Sequence, residues 1–439
     1  MNLRGFELST RIGSVVMVLL TVITFRSISQ PVPEISEFNA DAIDQGSGSI
    51  LIENITIIDG ISDEAIENGV ILVEDGIIKY TGKRDGLESS QFDEVIDGRG
   101  KTALPGYIDS HFHYDDVREI PTKFLKNGVT SVRDPGEWFS SYDIELESGL
   151  PLPRLFLTGP HLEVYPSLYP EDAYTIADNY EAKRGVQKVF EMGSSAIKVY
   201  SRTPAGMIKA ICEQADMVGI PVTAHLDATE AVEAINVGLD GVEHIYSFTQ
   251  SLMSPREAEQ FKQSVLALSE SRRNGGYQTI WAGLDLANER VESLIDFLKE
   301  AETFITPTLA ASEYQLNNKA QDSTRLKGFQ QMMEFTAMLI RGKAKVVIGS
   351  HGPWVPYAER GWSFQHEMEL FSECGMPTMD IIKAGTIENA RFFRVEDRLG
   401  SLEEGKQADI VILNGNPLED LKAIYDVEKV MLNGVWIER

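Results

Sequence analysis

Between residues 107 and 349 the chain repeats one pattern, a short apolar run followed by a longer stretch, often helix-like. The runs are Tyr107–His111, Ser131–Arg133, Arg154–Thr158, Ala196–Tyr200, Pro221–Ala224, Gly241–Ile245, Phe304–Thr308 and Lys345–Gly349. In the intervening stretches, Gly206–Val218 carries Met207, Ile208, Ile211 and Ala215 at helical spacing. Ser323–Arg341 places Phe329, Met332, Met333, Thr336 and Ile340 on one helix face. Eight strands alternating with helices predict an α/β fold, a parallel (β/α)8 TIM-type barrel, whose chemistry collects at the C-terminal ends of the strands. The long stretch from Phe248 to Glu302, broken at Asn274-Gly275-Gly276, is expected to be a lid or loop inserted over the barrel mouth.

The two ends of the chain read differently. Ile50–Ile58, Val70–Val73 and Ile77–Tyr80 are β-rich, with Asp75-Gly76 as a hairpin turn. Such a meander cannot close alone. Asp409–Leu413, Val427–Leu432 and Val435–Glu438, with Asn433-Gly434 as a turn, offer matching pieces. The expected organisation is a small composite β-sandwich from residues 49–104 and 392–439 around a barrel at 105–391. Residues 30–48 are rich in Pro, Ser, Asp and Gly and read as a linker. Residues 1–29 read as a signal peptide: Arg4 and Arg11, an apolar run from Ile12 to Phe25, then Ser27-Ile28-Ser29. That run is shorter than the roughly 18 residues of a spanning helix. The expectation is an exported protein, periplasmic or secreted, with an uncleaved N-terminal anchor as the alternative.

Side chains able to hold a metal fall at the ends of the runs. His111 and His113 are two residues apart, so in an extended strand they point to the same side. Neutral imidazole is the commonest protein metal ligand. Lys198, His225 and His244 end later runs, and His351 follows the last one. A lysine inside an apolar strand is costly to bury while charged. It either reaches the rim or is neutralised. Tyr200 lies two residues beyond Lys198 and points to the same side. His161 follows the third run, where it either reaches the pocket or stays on a surface loop. Tyr165, Tyr169, Trp354, Tyr357 and Trp362 crowd the expected mouth loops, and His366 in the helical run Phe364–Cys374 reads as structural.

These segments, in this order, resemble the amidohydrolase superfamily of metal-dependent hydrolases. The matching stretches are Leu104-Pro-Gly-Tyr-Ile-Asp-Ser-His-Phe-His113, Gly128-Val-Thr-Ser-Val-Arg-Asp134, Ile197-Lys198, Thr223-Ala-His225 and Val242-Glu-His244. Thr306-Pro-Thr-Leu309 and the tail from Leu399 to Val411 extend the match. The likeness is to the lysine-containing branch, similar to Xaa-Pro dipeptidases, aminoacylase-type enzymes and imidazolonepropionase-like proteins. The resemblance implies a barrel with a β-sandwich built from both termini. It also implies a two-metal site of divalent ions, usually zinc. His111 and His113 would hold one ion, and Lys198, as a carbamate, would bridge to a second held by His225 and His244. A metal-activated hydroxide would then hydrolyse a C–N bond of a small amide or dipeptide-type substrate, with Tyr200 as a candidate for its carbonyl.

One position departs from the family. Where it has an aspartate after the eighth strand, this chain reads Gly349-Ser350-His351-Gly352, and the next acid is Glu359. His351 is therefore expected to act as a base or a supporting group, with an altered, ligand-binding barrel as the alternative reading. Composition narrows the partners. A net charge of −27 argues against nucleic acid and anionic membranes. It leaves a small-molecule substrate and a homo-oligomer open, with no stable membrane insertion of the catalytic domain. Two distant cysteines, Cys212 and Cys374, predict neither a disulfide framework nor a Cys-x-x-Cys zinc motif.

Overall fold

The computed structural model describes residues 35–84, 88–267, 276–316 and 322–439. The export segment read from residues 1–29, most of the linker's first residues and the break at 274–275 lie outside them. In chain order, β1 (Ser49–Ile57), β2 (Ile66–Glu74), β3 (Ile77–Lys83), β4 (Glu94–Asp97) and β5 (Lys101–Pro105) come first. Then come β6 (Tyr107–Asp109), β7 (Val129–Asp134), β8 (Arg154–Leu157), β9 (His161–Val164), β10 (Ala173–Ile176), β11 (Ile197–Val199), β12 (Val222–His225), β13 (Gly241–Glu243) and β14 (Phe304–Thr306), interleaved with helices. The chain ends with β15 (Ile410–Asn414), β16 (Val427–Leu432) and β17 (Val435–Trp436).

Strands from both chain ends join in one sheet of order β17-β16-β15-β5-β1-β2-β3, with β4 also paired to β1. The seam is β15 against β5, antiparallel, with Ile410 opposite Pro105 and Asn414 opposite Lys101. Alternation along these strands buries Ile50, Ile52, Ile71 and Val73 with Ile410, Ile412 and Met431 in one apolar cluster. The Asp75-Gly76 and Asn433-Gly434 turns both take left-handed backbone angles, as a two-residue hairpin demands. They meet tip to tip: a Cβ added at Gly76 would lie 2.8 Å from the Asn433 carbonyl oxygen.

The middle of the chain is mixed α/β with parallel strands. One sheet has the order β6-β7-β8 and the other β10-β9-β11-β12-β13-β14. Apart from β10, these strands are almost wholly buried, as in parallel sheets covered by helices. The eighth expected run, Lys345–Gly349, forms only an isolated bridge between Val346 and Ile305. Its backbone still ties two elements together: Val347 N donates to Ile305 O at 2.9 Å, and Ser110 N donates to Ile348 O at 3.1 Å. β9 and β10 were not expected. They are short, follow Pro160 or contain polar residues, and so carry no apolar run.

Helices begin where polar side chains can accept the first free amides. Asp178 accepts from Tyr180 N and Glu181 N, Asp322 from Thr324 N and Arg325 N, and Ser254 forms a capping box with Glu257. Among the described residues, the stretch expected as a lid contains four α-helices, Thr249–Leu252, Pro255–Leu266, Gly276–Trp281 and Glu289–Glu300. It does more than cover the mouth, because Phe248, Val265 and Trp281 are fully buried in the main core. Burial of that much aromatic surface makes the stretch part of the fold. Cys212 and Cys374 are both buried and unbridged.

Candidate metal centre and active-site cavity

β6 ends at Asp109, two residues before His111, so both histidines of the His-x-His pair lie just beyond the strand. The backbone still brings them together: their Nε2 atoms are 3.1 Å apart. The last loop is pressed against them. A Cβ at Gly349 would lie 2.6 Å from His111 Cβ, and one at Gly352 would lie 2.4 Å from the His113 carbonyl oxygen. Only glycine allows this approach. His351 sits between these glycines with φ +68°, and its amide donates to His111 O at 2.6 Å. Its ring stacks on His111 at 5.0 Å and lies 4.8 Å from the His113 ring. His111, His113 and His351 thereby place one ligand atom each within 4.8 Å of the others. On the far side, the rings of His111 and His244 are 4.6 Å apart, and those of His244 and His225 are 4.9 Å apart. His244 also has a left-handed backbone, φ +64°. Non-glycine residues held so are strained, and such strain gathers at functional sites.

Behind the rings stand groups that the sequence reading quoted within motifs but gave no role. His111 Nδ1 lies 2.6 Å from Glu243 Oε2, an acid buried on β13 and also bonded by the Thr223 hydroxyl. A carboxylate at Nδ1 sets the tautomer and leaves the Nε2 lone pair free to bind. His113 Nδ1 is 3.6 Å from Asp134 Oδ1. His244 Nδ1 is 2.7 Å from the Thr308 hydroxyl. Asp109 ties the strand end to the last loop, accepting from His111 N, Ser350 N and the Ser350 hydroxyl.

Burial dominates the electrostatics. It holds His111, His244 and His351 well below the usual histidine range, helped by neighbouring cations including Lys198. These three rings are neutral, the form that binds metal. At His113 burial works the same way, but Asp134 outweighs it and raises the ring. Lys198 is 1% exposed, and burial pushes its ammonium down to about 8 against the pull of Glu243 and Asp134. A lysine so placed is readily neutral.

His113, Lys198, His225, His244 and His351 line one cavity of about 820 Å³, together with Tyr200, His161 and Tyr246. Tyr200 packs its ring 4.6 Å from His225, and burial lifts its hydroxyl well above the usual range. His161 is on β9 and buried, not on a surface loop. Of the five mouth aromatics, only Tyr169 and Trp354 line the cavity. Tyr165 is 82% exposed, and Trp362 packs instead on Tyr425. Tyr277, from the expected lid, stacks on Tyr246 at 4.2 Å and bonds Asp227, whose carboxylate lies 3.3 Å from His225 Nε2. His366 has the expected structural role, bonded to Glu313 at 2.6 Å.

The donor set suits a divalent cation. Both ring nitrogens of buried His225 and Nδ1 of His351 have no hydrogen-bond partner. Buried polar atoms left so are expensive unless a ligand satisfies them. The facing Nε2 atoms of His111 and His113 likewise gain from a shared cation.

Comparison with known proteins agrees with this geometry. The family model described as "Amidohydrolase family" matches residues 102–437. The chain is 23% identical over 405 residues to a 5-methylthioadenosine/S-adenosylhomocysteine deaminase from Halothermothrix orenii, covering 84% of this chain and 86% of that one. Among solved structures it is similar to a Xaa-Pro dipeptidase with bound methionine, TM-score 0.69, 22% identical, covering 89% of this chain and all of that one. It is also similar to phenylurea hydrolase B, TM-score 0.68, 18% identical, covering 89% and 97%. Since the family model spans most of the sequence and begins just before the His-x-His pair, the chain belongs to the amidohydrolase family.

Proposed function

We propose that this protein is a metal-dependent amidohydrolase that hydrolyses a C–N bond of a small substrate in the cavity at the histidine cluster. The observation that carries the reading is the meeting of His111, His113, Lys198, His225 and His244, from four separate segments, with all but His111 lining one water-accessible space. A structural role gives no reason for them to converge. A bound divalent ion, zinc being the usual partner of such a donor set, supplies activation of water near neutral pH and polarisation of the scissile group.

The chain's own residues divide the remaining work. His111 and His113 present their Nε2 atoms, and Glu243 holds the first ring in register. Lys198, readily neutral in its buried position, is suited to carboxylation and would then offer anionic oxygens towards His225 and His244. Tyr200 stands beside His225, where its protonated hydroxyl can donate to a substrate carbonyl. His351 occupies the place of the family's aspartate, close enough to His111 and His113 to serve as a third nitrogen ligand or to take a proton, but not both on one nitrogen. Its seat within the cluster supports turnover over the alternative of an inactive binding barrel. Deaminase relatives and dipeptidase-like neighbours alike act on C–N bonds by name, so the screen must cover both. The test is metal analysis of the purified protein, followed by assays on dipeptides, N-acyl amino acids and aminopurine nucleosides. One or two equivalents of metal with turnover are expected; a metal-free, inactive protein would sink the reading.

We further infer that the two parallel sheets belong to one (β/α)8 barrel. The Lys345–Gly349 run bonds to β14 and to Ser110, and Ser195 N donates to Leu157 O at 2.8 Å, which supports closure at both seams. The composite β-domain is taken as residues 49–104 with 392–439. Truncation at Gly400 should then expose the inner face of β1 and β2 and cause aggregation, and a soluble truncation with an unchanged melting transition would count against it. Export rests on the sequence of residues 1–29 alone. N-terminal sequencing from the native cell should find a mature end near Gln30, and an intact Met1 in the cytoplasmic fraction would refute it.

A further inference from the structure

Apart from the histidines and Lys198, the charged side chains lining the cavity are of one sign among the described residues. Asp115 from the loop after β6, Glu137 from the loop after β7, and Glu171 and Asp172 before β10 all line it. Among the described residues no arginine lines it, and Lys198 is its only lysine. None of the four acids is ion-paired to a lysine or arginine among the described residues. Asp115 takes a hydrogen bond from the Trp354 indole, and Glu137 from Ser141. The acids feel one another. Burial first, then Asp134 and Asp115 among others, push the Glu137 carboxyl up to about 7, and Asp172 is raised by burial and by Glu171 and Asp115. Lining the same space are the rings of Tyr169, Tyr246, Tyr277, Tyr314 and Trp354. A second, separate feature points to a ligand. His161 is 3% exposed and lines the cavity, and its Nε2, 3.7 Å from Glu163 Oε2, makes no hydrogen bond.

We propose that this outer part of the cavity binds a cationic nitrogen of the substrate, an ammonium, guanidinium or amidinium group, and that the substrate bears no carboxylate at that end. The inference rests on the hydrolytic reading of the same cavity and narrows its substrate class. Recognition of a carboxylate at close quarters usually uses the arginine fork or a lysine. Here, among the described residues, the only lysine or arginine belongs to the proposed metal site, so an anionic tail would face four acids and no partner. A cation instead gains from those acids in a concave, partly desolvated space, where field lines of one sign concentrate. The aromatic faces add cation–π attraction, and His161 offers a polar contact for an N–H. The protein's net charge of −27 also favours the approach of cations.

The test compares three small probes of similar size on the metal-loaded full chain by isothermal titration: butylguanidinium, its neutral isostere butylurea, and butanesulfonate. The guanidinium should bind at least about tenfold tighter than the urea, and the sulfonate weakest of all. In the Glu137→Gln/Asp172→Asn double variant the preference for guanidinium over urea should fall towards unity while metal content stays unchanged. Equal affinity for guanidinium and urea, tighter binding of the sulfonate, or an undiminished preference in a folded double variant would overturn the proposal. If the double variant does not fold, the ranking of the three probes on the native chain decides by itself. A purified chain without metal would strike the hydrolase reading instead, and the probe ranking would remain readable because none of the three is a strong metal ligand.

Discussion

On one side of the cluster, His111 is backed by the Glu243 carboxylate at 2.6 Å and His113 faces Asp134 across 3.6 Å. On the other, His244 is backed by the neutral Thr308 hydroxyl, and His225, neither nitrogen of which makes a hydrogen bond, faces Asp227 across 3.3 Å. The first pair therefore has negative charge directly behind it, which on the proposed reading would strengthen each imidazole as a ligand and offset a neutral His351 where the family has an aspartate. In the second pair no carboxylate hydrogen-bonds a ring, and its nearest acid is Asp227 beside His225. On the proposed reading Lys198, buried and lowered in pKa, would add a second anion there if carboxylated. The difference between the two sides is that the His111 ring is hydrogen-bonded by a buried carboxylate and the His244 ring by a hydroxyl, so in the proposed site the acid lost at position 351 is offset one layer out on the first side.

The largest effect should come from removing that anion. Lys198→Ala is expected to lose most of its bound metal, with partial rescue by short carboxylic acids in excess; elemental analysis showing full metal retention would break the comparison on its second side. His351→Ala tests the other side. It should lower the rate by roughly 10²–10⁴, the scale of a general acid–base group, while at least one metal stays bound. His351→Asp should raise metal stoichiometry or activity. If only the aspartate variant binds metal, the native chain is a binding protein and not an enzyme.

Smaller effects separate the backing groups themselves. Glu243→Gln should weaken metal affinity by about 10–100-fold, whereas Thr308→Val should cost less, because it removes a neutral partner. Competition with a chromophoric chelator would measure both, and equal losses would erase the asymmetry. The smallest effect concerns Glu367, buried and accepting from Leu309 N and Ala310 N at 2.7 Å each, just past Thr308. Burial raises its carboxyl from 4.5 to about 8. A raised acid favours the folded state while protonated, so its contribution is complete below about 4.5 and declines as pH climbs towards 8. Glu367→Gln should flatten the fall in melting temperature between about pH 5 and 8; an unchanged slope would assign that fall to other groups.

Local signals sufficed for much of this. Seven of the apolar runs became strands, because a run of β-branched and aliphatic residues buried on both faces has few alternatives. The hairpin turns at Asp75-Gly76 and Asn433-Gly434 were readable because left-handed backbone at two successive positions demands Asn, Asp or Gly. β9 and β10 escaped notice since they are short and their pairing, not their composition, makes them strands. The stretch from Phe248 to Glu302 looked like a cover because it interrupts the repeat, and only packing revealed Trp281 and Phe248 inside the core.

The sequence by itself determined the α/β alternation, the pairing of the chain ends, and the list of ligand-type residues from His111 to His351, since each follows from spacing along one segment. It could not say which acids stand behind which histidines. His111 and Glu243 are 132 positions apart, and Thr308 is 64 from His244. Nor could it tell which aromatics face the cavity or that, among the described residues, four acids and no arginine line it. Those facts belong to the tertiary structure, because charge, burial and hydrogen bonding depend on distances through space, and the order of residues along the chain sets these only after folding.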